Sequence, residues 1–275
     1  MVILAIFVLI IVAILTVSII LRLKKDRDFI LAKFSTDNVI VAGHKGKGKD
    51  LLFNFVINHR GKKCKSNLQF NKDLCEKTDL DYLLLKSNDG KQLSYDQFLD
   101  GKFQYIEKKL EEKVDYYISD AGVFLPSQNQ KDLCKKYPSL PITYALSRQL
   151  AGMNIHANAQ TLNRIWDKLR EQADSYFICR DTSSLLFKRI FITKAIYYDE
   201  YESAKSNLRP FKSNKLLSSK ENRALFENYT AKNGLIKTVY VVQSKSRIKY
   251  DTREFHKILF GKKAPELSIN RKKSR

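Results

Sequence analysis

From Val2 to Leu21 every position is apolar except Thr16 and Ser18, and none is charged. Twenty residues of helix rise about 30 Å, the thickness of a bilayer core, so the run predicts a transmembrane anchor over residues 1–22. Arg22, Lys24, Lys25 and Arg27 follow it at once, with Asp26 among them. A cleaved signal would carry its positive charges before the apolar run and a small-residue site after it, and this sequence has neither. The charge placement predicts a single-pass protein of an inner or plasma membrane, with the N-terminus outside and the C-terminal domain cytoplasmic.

Beyond a short charged neck over residues 23–38, the pattern changes to brief apolar runs alternating with helical periods. Val39–Ala42, Val114–Ile118, Asn154–Ala159 and Ser175–Cys179 read as strands, and Leu185–Tyr198 as one or two more. Asp50–His59, Tyr105–Lys113, Ser127–Tyr137 and Thr143–Ala151 read as helices, the last set off by Pro138 and Pro141. Thr161–Ala173 joins them because Leu162, Ile165, Trp166, Leu169 and Ala173 keep a helical spacing. Asn88-Asp89-Gly90 marks a turn. Strands alternating with helices predict an α/β fold with a mostly parallel sheet. The expected organisation is an anchor, a core domain over residues 23–200 and a basic region over 201–275.

Charge sharpens that last boundary. The chain carries 50 Lys and Arg against 29 Asp and Glu, a net charge of +21. Residues 201–275 hold nineteen of the cations and six of the acids, a surplus of 13 in about a quarter of the length. Such concentration predicts a phosphate-rich partner: nucleic acid (DNA, single- or double-stranded), nucleotides or anionic lipid head groups. Phe211, Tyr229, Tyr240 and Tyr250 lie in this region as candidate stacking rings, and Ile236–Gln243 reads as a strand. Arg271–Arg275 reads as a basic tail. The four cysteines form no CxxC pair, which argues against a zinc site or a disulfide framework.

The sharpest local chemistry is Gly43-His44-Lys45-Gly46-Lys47-Gly48-Lys49-Asp50-Leu51, placed between a predicted strand and a predicted helix. Glycines there let backbone N–H groups turn toward phosphate oxygens, and the helix that follows offers its positive end. Lys49 would reach the β- and γ-phosphates of ATP. The position after this lysine normally offers Mg²⁺ a hydroxyl, but here it is Asp50. The second half of such a site is a strand ending in acids, and Val114–Ile118 leads into Ser119-Asp120. Two alignments follow. In one, Ser119 takes the metal-side position and Asp120 the water-activating one, so hydroxyl and carboxylate have changed places between residues 50 and 119. In the other, Asp120 is the metal-side acid and Ala121 stands where a catalytic acid belongs.

With these motifs the chain resembles the zonula-occludens-toxin-like assembly ATPases of filamentous phages, within the FtsK–HerA group of P-loop ATPases. The resemblance rests on Val39–Lys49, Tyr117–Pro126, Leu146–Gln149 leading into Asn154–Gln160, and Arg164–Arg170 before Ser175–Arg180, and spans roughly residues 36–195. It implies a P-loop NTPase-type sheet, ATP and Mg²⁺ as cofactors, and Gln160 as a γ-phosphate sensor. It also implies Arg148, Arg164 and Arg170 as candidate arginine fingers across a subunit boundary, and a homo-oligomer such as a hexameric ring. The implied function is an ATPase coupled to DNA movement or virion extrusion at a membrane, with phage coat or secretion proteins as partners. A degenerate P-loop scaffold that does not hydrolyse nucleotide is the alternative.

Overall fold

A computed structural model describes residues 2–85 and 114–250. The expected turn at Asn88–Gly90, the helix Tyr105–Lys113 and the tail Arg271–Arg275 lie outside the described residues.

Eight strands form one sheet: β1 (Val39–Ala42), β2 (Cys64–Ser66), β3 (Cys75–Lys77), β4 (Asp115–Ile118), β5 (Ile155–Ala159), β6 (Ser175–Leu185), β7 (Ile190–Tyr198) and β8 (Ile236–Ser244). Their order is β3-β2-β4-β5-β1-β6-β7-β8. The pairs from β3 to β6 are parallel, and β6, β7 and β8 pair antiparallel. The mostly parallel α/β sheet expected from the sequence is therefore present. The strand β5 stands between β1 and β4, so the loops that leave these three strands open at one edge of the sheet. That C-terminal edge is where open α/β sheets bind ligands.

Period-two alternation fixes the two faces. Ile40, Tyr116, Ile118, Tyr176 and Ile178 enter one core with Leu140, Tyr144, Trp166 and Leu169. Val39, Val41, Tyr117, Phe177 and Tyr197 enter the other, covered by the helices α1 (Val2–Thr36) and α2 (Lys49–Arg60). The helix α1 corrects the expected neck, because it runs unbroken through residues 23–36. The reason lies in the spacing: Asp26, Ile30 and Phe34 recur every four residues and are all buried. Phe34 packs on Phe53 and Phe177, Phe29 meets Tyr197 edge-on at 4.9 Å, and Asp26 accepts a hydrogen bond from the Tyr240 N–H (3.0 Å). In contrast, the large apolar side chains from Ile6 to Leu21 are exposed. Among the described residues, α1 is the helix long and apolar enough to cross a membrane.

Other boundaries move for identifiable reasons. The helical period over Thr161–Ala173 is broken into a 3-10 turn at Leu162–Arg164 and a helix at Asp167–Arg170. Between them, Ile165 bridges to Pro126 and the Trp166 N–H donates to the Leu125 carbonyl (2.9 Å), so the backbone is taken by a neighbouring segment. The helix expected at Thr143 starts at Leu140, with Pro141 in its first turn, where a missing N–H costs nothing. The strand β6 continues six residues past Cys179 because β7 pairs with it through a hairpin. Helices at Tyr201–Ser206 and Ser219–Asn233 carry no apolar stripe strong enough to have been expected. The candidate stacking rings are engaged within the protein: Phe211 with Phe226 and Tyr229, Tyr250 with Phe70, and Tyr240 beneath Arg22. All four cysteines are free thiols.

One buried group makes the fold sensitive to acid. His156 on β5 is wholly enclosed, 4.8 Å from the rings of both Phe34 and Tyr117. Burial holds its pKa well below the ordinary range, and the Arg60 charge lowers it further. The unfolded chain binds a proton near pH 6.5 that the fold excludes, so stability falls as pH drops below that value. The expected slope is about 1.4 kcal/mol per pH unit. Urea midpoints of the detergent-solubilised chain, taken from neutral pH downward, measure it. His156→Leu should flatten this limb, and an unchanged slope would assign it to other groups.

Candidate nucleotide-binding site

At Ala42 the chain leaves β1, and the Gly43 N–H donates to the Ala159 carbonyl (3.1 Å), which ties the loop to the end of β5. The Lys47 N–H donates to the His44 carbonyl (3.0 Å), closing the turn. Gly46 and Gly48 have φ of +80° and +90°, the left-handed region that side chains avoid. At Gly46 a Cβ would meet nothing, so the loop is open there. At Gly48 it would collide with the hydroxyls of Thr182 and Thr193 on the β6–β7 hairpin. That hairpin supports the loop from behind, and Lys47 pairs with its Asp181 at 3.2 Å. His44 and Lys45 are exposed, Leu51 is buried, and α2 begins at Lys49.

The centre of the site is the side chain of Lys49, 9% exposed, whose Nζ lies 2.7 Å from Asp120 Oδ1 and 3.3 Å from Asp50 Oδ2. Burial works against its charge, but the carboxylates of Asp50 and Asp120 outweigh it and raise the Lys49 pKa. Desolvation raises the Asp50 pKa; the Lys49 charge opposes this and Asp120 reinforces it. Asp120 follows β4 in a left-handed conformation (φ 49°), which turns its carboxylate back toward the loop. Ser119 beside it is buried, and its backbone is clamped reciprocally by Asn67: the Ser119 N–H donates to Asn67 Oδ1 (2.7 Å), and Asn67 Nδ2 donates to the Ser119 carbonyl (3.0 Å).

Asn158, near the end of β5, connects all three. Its Nδ2 donates to Asp50 Oδ1 (3.0 Å) and to Ser119 Oγ (3.4 Å), and its Oδ1 accepts the Asp120 N–H (2.9 Å). Sequence reasoning passed over this residue and took Gln160. The available signal was parity, since 156 and 158 share one face of β5 and Asn158 is a fully buried amide there. Gln160 lies past the strand end, where its Oε1 accepts from Arg164 Nη1 (2.8 Å). Arg164 is exposed. Arg170 is held by Asp167 at 3.1 Å and lies over the Tyr201 ring. Arg148 falls on the helix Leu140–Ala151, where only the backbone is described. A cavity of about 260 Å³ adjoins the loop, lined by Gly43, His44, Lys47, Gln160, Arg180 and Asn207 among others.

This arrangement fits a phosphate chain, with an open left-handed loop, a helix start and a buried ammonium converging. It also fits Mg²⁺ chemically. The carboxylates of Asp50 and Asp120 and the Ser119 hydroxyl lie about Lys49 and Asn158, an oxygen set that leaves positions for phosphate oxygens and water. Among the described residues no group of three or more His, Cys, Asp or Glu converges, so an all-protein metal cage is not present.

No family model matches the sequence, and no curated protein does. Similar solved structures include the N-terminal domain of zonular occludens toxin from Neisseria meningitidis, 13% identical, covering 79% of this chain and 96% of that one with a TM-score of 0.38. They also include the genome packaging NTPase B204 of Sulfolobus turreted icosahedral virus 2 in complex with ATPγS, 14% identical, covering 62% of this chain and 95% of that one with a TM-score of 0.37. B204 of Sulfolobus turreted icosahedral virus is 12% identical, covers 64% of this chain and 98% of that one, and has a TM-score of 0.34.

Proposed function

We propose that this chain is a membrane-anchored ATPase that drives DNA or virion assembly, extrusion or transfer in a filamentous-phage-like system. The observation that carries the reading is the cluster at the head of α2, where Asn158 joins Asp50, Ser119 and Asp120 while Lys49 pairs with both carboxylates. Lys49 and the loop N–H groups bind the phosphates, while His44, Lys47 and Arg180 border the adjoining cavity where the nucleoside is received. Asp50 and Ser119 would hold Mg²⁺, which when bound would supply positive charge to the phosphate oxygens. Asp120 orients and deprotonates the attacking water, with Gln160 sensing the γ-phosphate from the cavity side. Of the two candidates whose side chains are described, Arg164 is exposed for a neighbouring copy in a ring, whereas Arg170 must first leave Asp167. DNA is the proposed anionic partner of the basic region after 201.

Phosphate release by the full chain in vesicles, with and without single- or double-stranded DNA, tests the reading. Hydrolysis that requires Mg²⁺ and rises with DNA supports it. A second reading has its own observation: both carboxylates are already engaged by Lys49, and Ala121 supplies no further acid. ATP binding without turnover in a DNA-competent sample would favour that non-hydrolysing scaffold.

The Asp50/Ser119 exchange makes a separate prediction. The two side chains face each other across one amide, so Asp50→Thr and Ser119→Asp should each lose activity while the double variant recovers part of it. The expected coupling is about 1–3 kcal/mol in the activation free energy. Additive losses would return Asp120 to the metal-side role.

A further inference from the structure

The tip of the β6–β7 hairpin presents large apolar side chains to solvent in sequence: Leu185 is 52% exposed, Leu186 64% and Phe187 fully so. Elsewhere among the described residues outside α1, the exposed large apolar side chains Val123, Leu216 and Leu225 stand singly, as surface residues commonly do. The tip is also held in an unusual shape. Leu186, Phe187 and Lys188 all have left-handed φ, at 49°, 53° and 64°. The Arg189 N–H closes the turn on the carbonyls of Leu185 (3.1 Å) and Leu186 (3.0 Å), and the Arg189 carbonyl accepts from Lys245 N–H (2.7 Å). Glycine or asparagine would suit that backbone better, so neither local conformation nor core packing accounts for a leucine and a phenylalanine there.

Position in the fold supplies an account. Along the β7–β8 ladder the rows run Tyr197/Lys237, Lys194/Tyr240, Ile192/Val242 and Ile190/Ser244, and the tip springs from the last. Read toward its N-terminus, α1 climbs the same ladder in the same direction. Phe29 packs on Tyr197, Asp26 accepts from Tyr240 N–H, and Ile20 and Leu23 line a cleft with Tyr240 and Val242. The exposed apolar stretch of α1 and the hairpin tip therefore leave the fold at the same end. At about 3.3 Å per residue, the ladder carries the hairpin roughly 7 Å past the Ile192 row, and the turn holds Phe187 beyond that end. Lys188 and Arg189 follow the apolar tip immediately, as Arg22, Lys24 and Lys25 follow the apolar stretch of α1.

We propose that the hairpin tip is a second membrane contact. Leu186 and Phe187 enter the acyl region of the leaflet through which α1 passes, and Lys188 and Arg189 lie at the level of its phosphate head groups. The proposal rests on the reading of α1 as a membrane-spanning helix and is independent of whether ATP is hydrolysed. Two contacts at separate points fix the rotation of the domain about the α1 axis, which one helix alone leaves free.

The test uses the full chain reconstituted into phosphatidylcholine–phosphatidylglycerol vesicles, with and without bromine on the acyl chains. The single native tryptophan, Trp166, is buried and gives a constant background. Bromine quenches only tryptophans that touch the acyl chains, so Phe187→Trp should lose its added emission as Val12→Trp does. Quenching of Val12→Trp without Phe187→Trp overturns the second contact and leaves the helix reading intact. A blue-shifted Phe187→Trp emission that bromine does not quench assigns the tip to a protein partner and also overturns it. If neither is quenched, the membrane reading of α1 fails, and the second contact fails with it.

Discussion

Replacing Lys49 with alanine is expected to lower Mg²⁺-dependent ATP hydrolysis by about 100- to 1,000-fold, the loss typical when one preorganised charged or hydrogen-bonding group is removed from the reacting centre. The ammonium of Lys49 is the buried positive charge between two carboxylates, at 2.7 Å from Asp120 and 3.3 Å from Asp50. Without it, a triphosphate at the head of α2 would face Asp50 and Asp120 with no ammonium between them. The same contact implies a change on binding, since an ammonium held by Asp120 must turn toward the phosphates before Asp120 is free to handle water. On the proposed function the ion pair is the resting form of the site, and Lys49→Ala would remove both the phosphate contact and that coupling. Phosphate release measured at saturating ATP checks the loss, with emission from buried Trp166 reporting that the fold persists. A rate close to that of the parent protein would remove Lys49 from the chemistry.

Arg60→Ala should be the most destabilising of the substitutions considered, at about 3–5 kcal/mol, because it leaves a buried carboxylate without its partner. Arg60 is the last residue of α2 and pairs with Asp115 at the start of β4, with both side chains nearly enclosed. Its Nη1 also donates to the Phe34 carbonyl near the end of α1 (2.8 Å), and Asp115 Oδ1 accepts the Asn154 N–H (2.9 Å) beside β5. One guanidinium thus joins both covering helices to the sheet. Burial lowers its affinity for a proton, but Tyr117 and Asp115 reverse this and raise the Arg60 pKa. The urea midpoint of the detergent-solubilised chain reads the effect. Asp115→Asn made together with Arg60→Ala should recover part of the loss, because the stranded charge is then gone. A loss below about 1 kcal/mol would place the pair with ordinary surface ion pairs.

How much of this was legible depended on whether a signal was local. The strands β1, β4 and β5 and the helix α2 show in short apolar runs and glycine spacing. The loop from Gly43 to Leu51 shows because its geometry is set by adjacent residues. The unbroken length of α1 was hidden by its charges: Asp26 looks like a neck residue until Tyr240 from β8 brings it a backbone N–H. The break inside Thr161–Ala173 was hidden for the same reason, since Pro126 and Leu125 come from another segment. Asn158 is the instructive omission. Its residue type fits many roles, and only the placement of β5 between β1 and β4 brings it within reach of Asp50, Ser119 and Asp120 together.

The continuity of α1 has a mechanical consequence. A flexible linker over residues 23–38 would leave about 20 Å of slack between lipid and domain, so that any pulling stroke would first be spent taking up the chain. A helix docked on the sheet through Asp26, Ile30 and Phe34 leaves none. Phe34 touches Phe53 of α2, four residues beyond Lys49, so a tilt of α2 at the phosphate end acts directly on the base of a stiff rod. Under the proposed function, load on the domain would be carried as torque in α1 and balanced by the bilayer, the footing against which the domain would work.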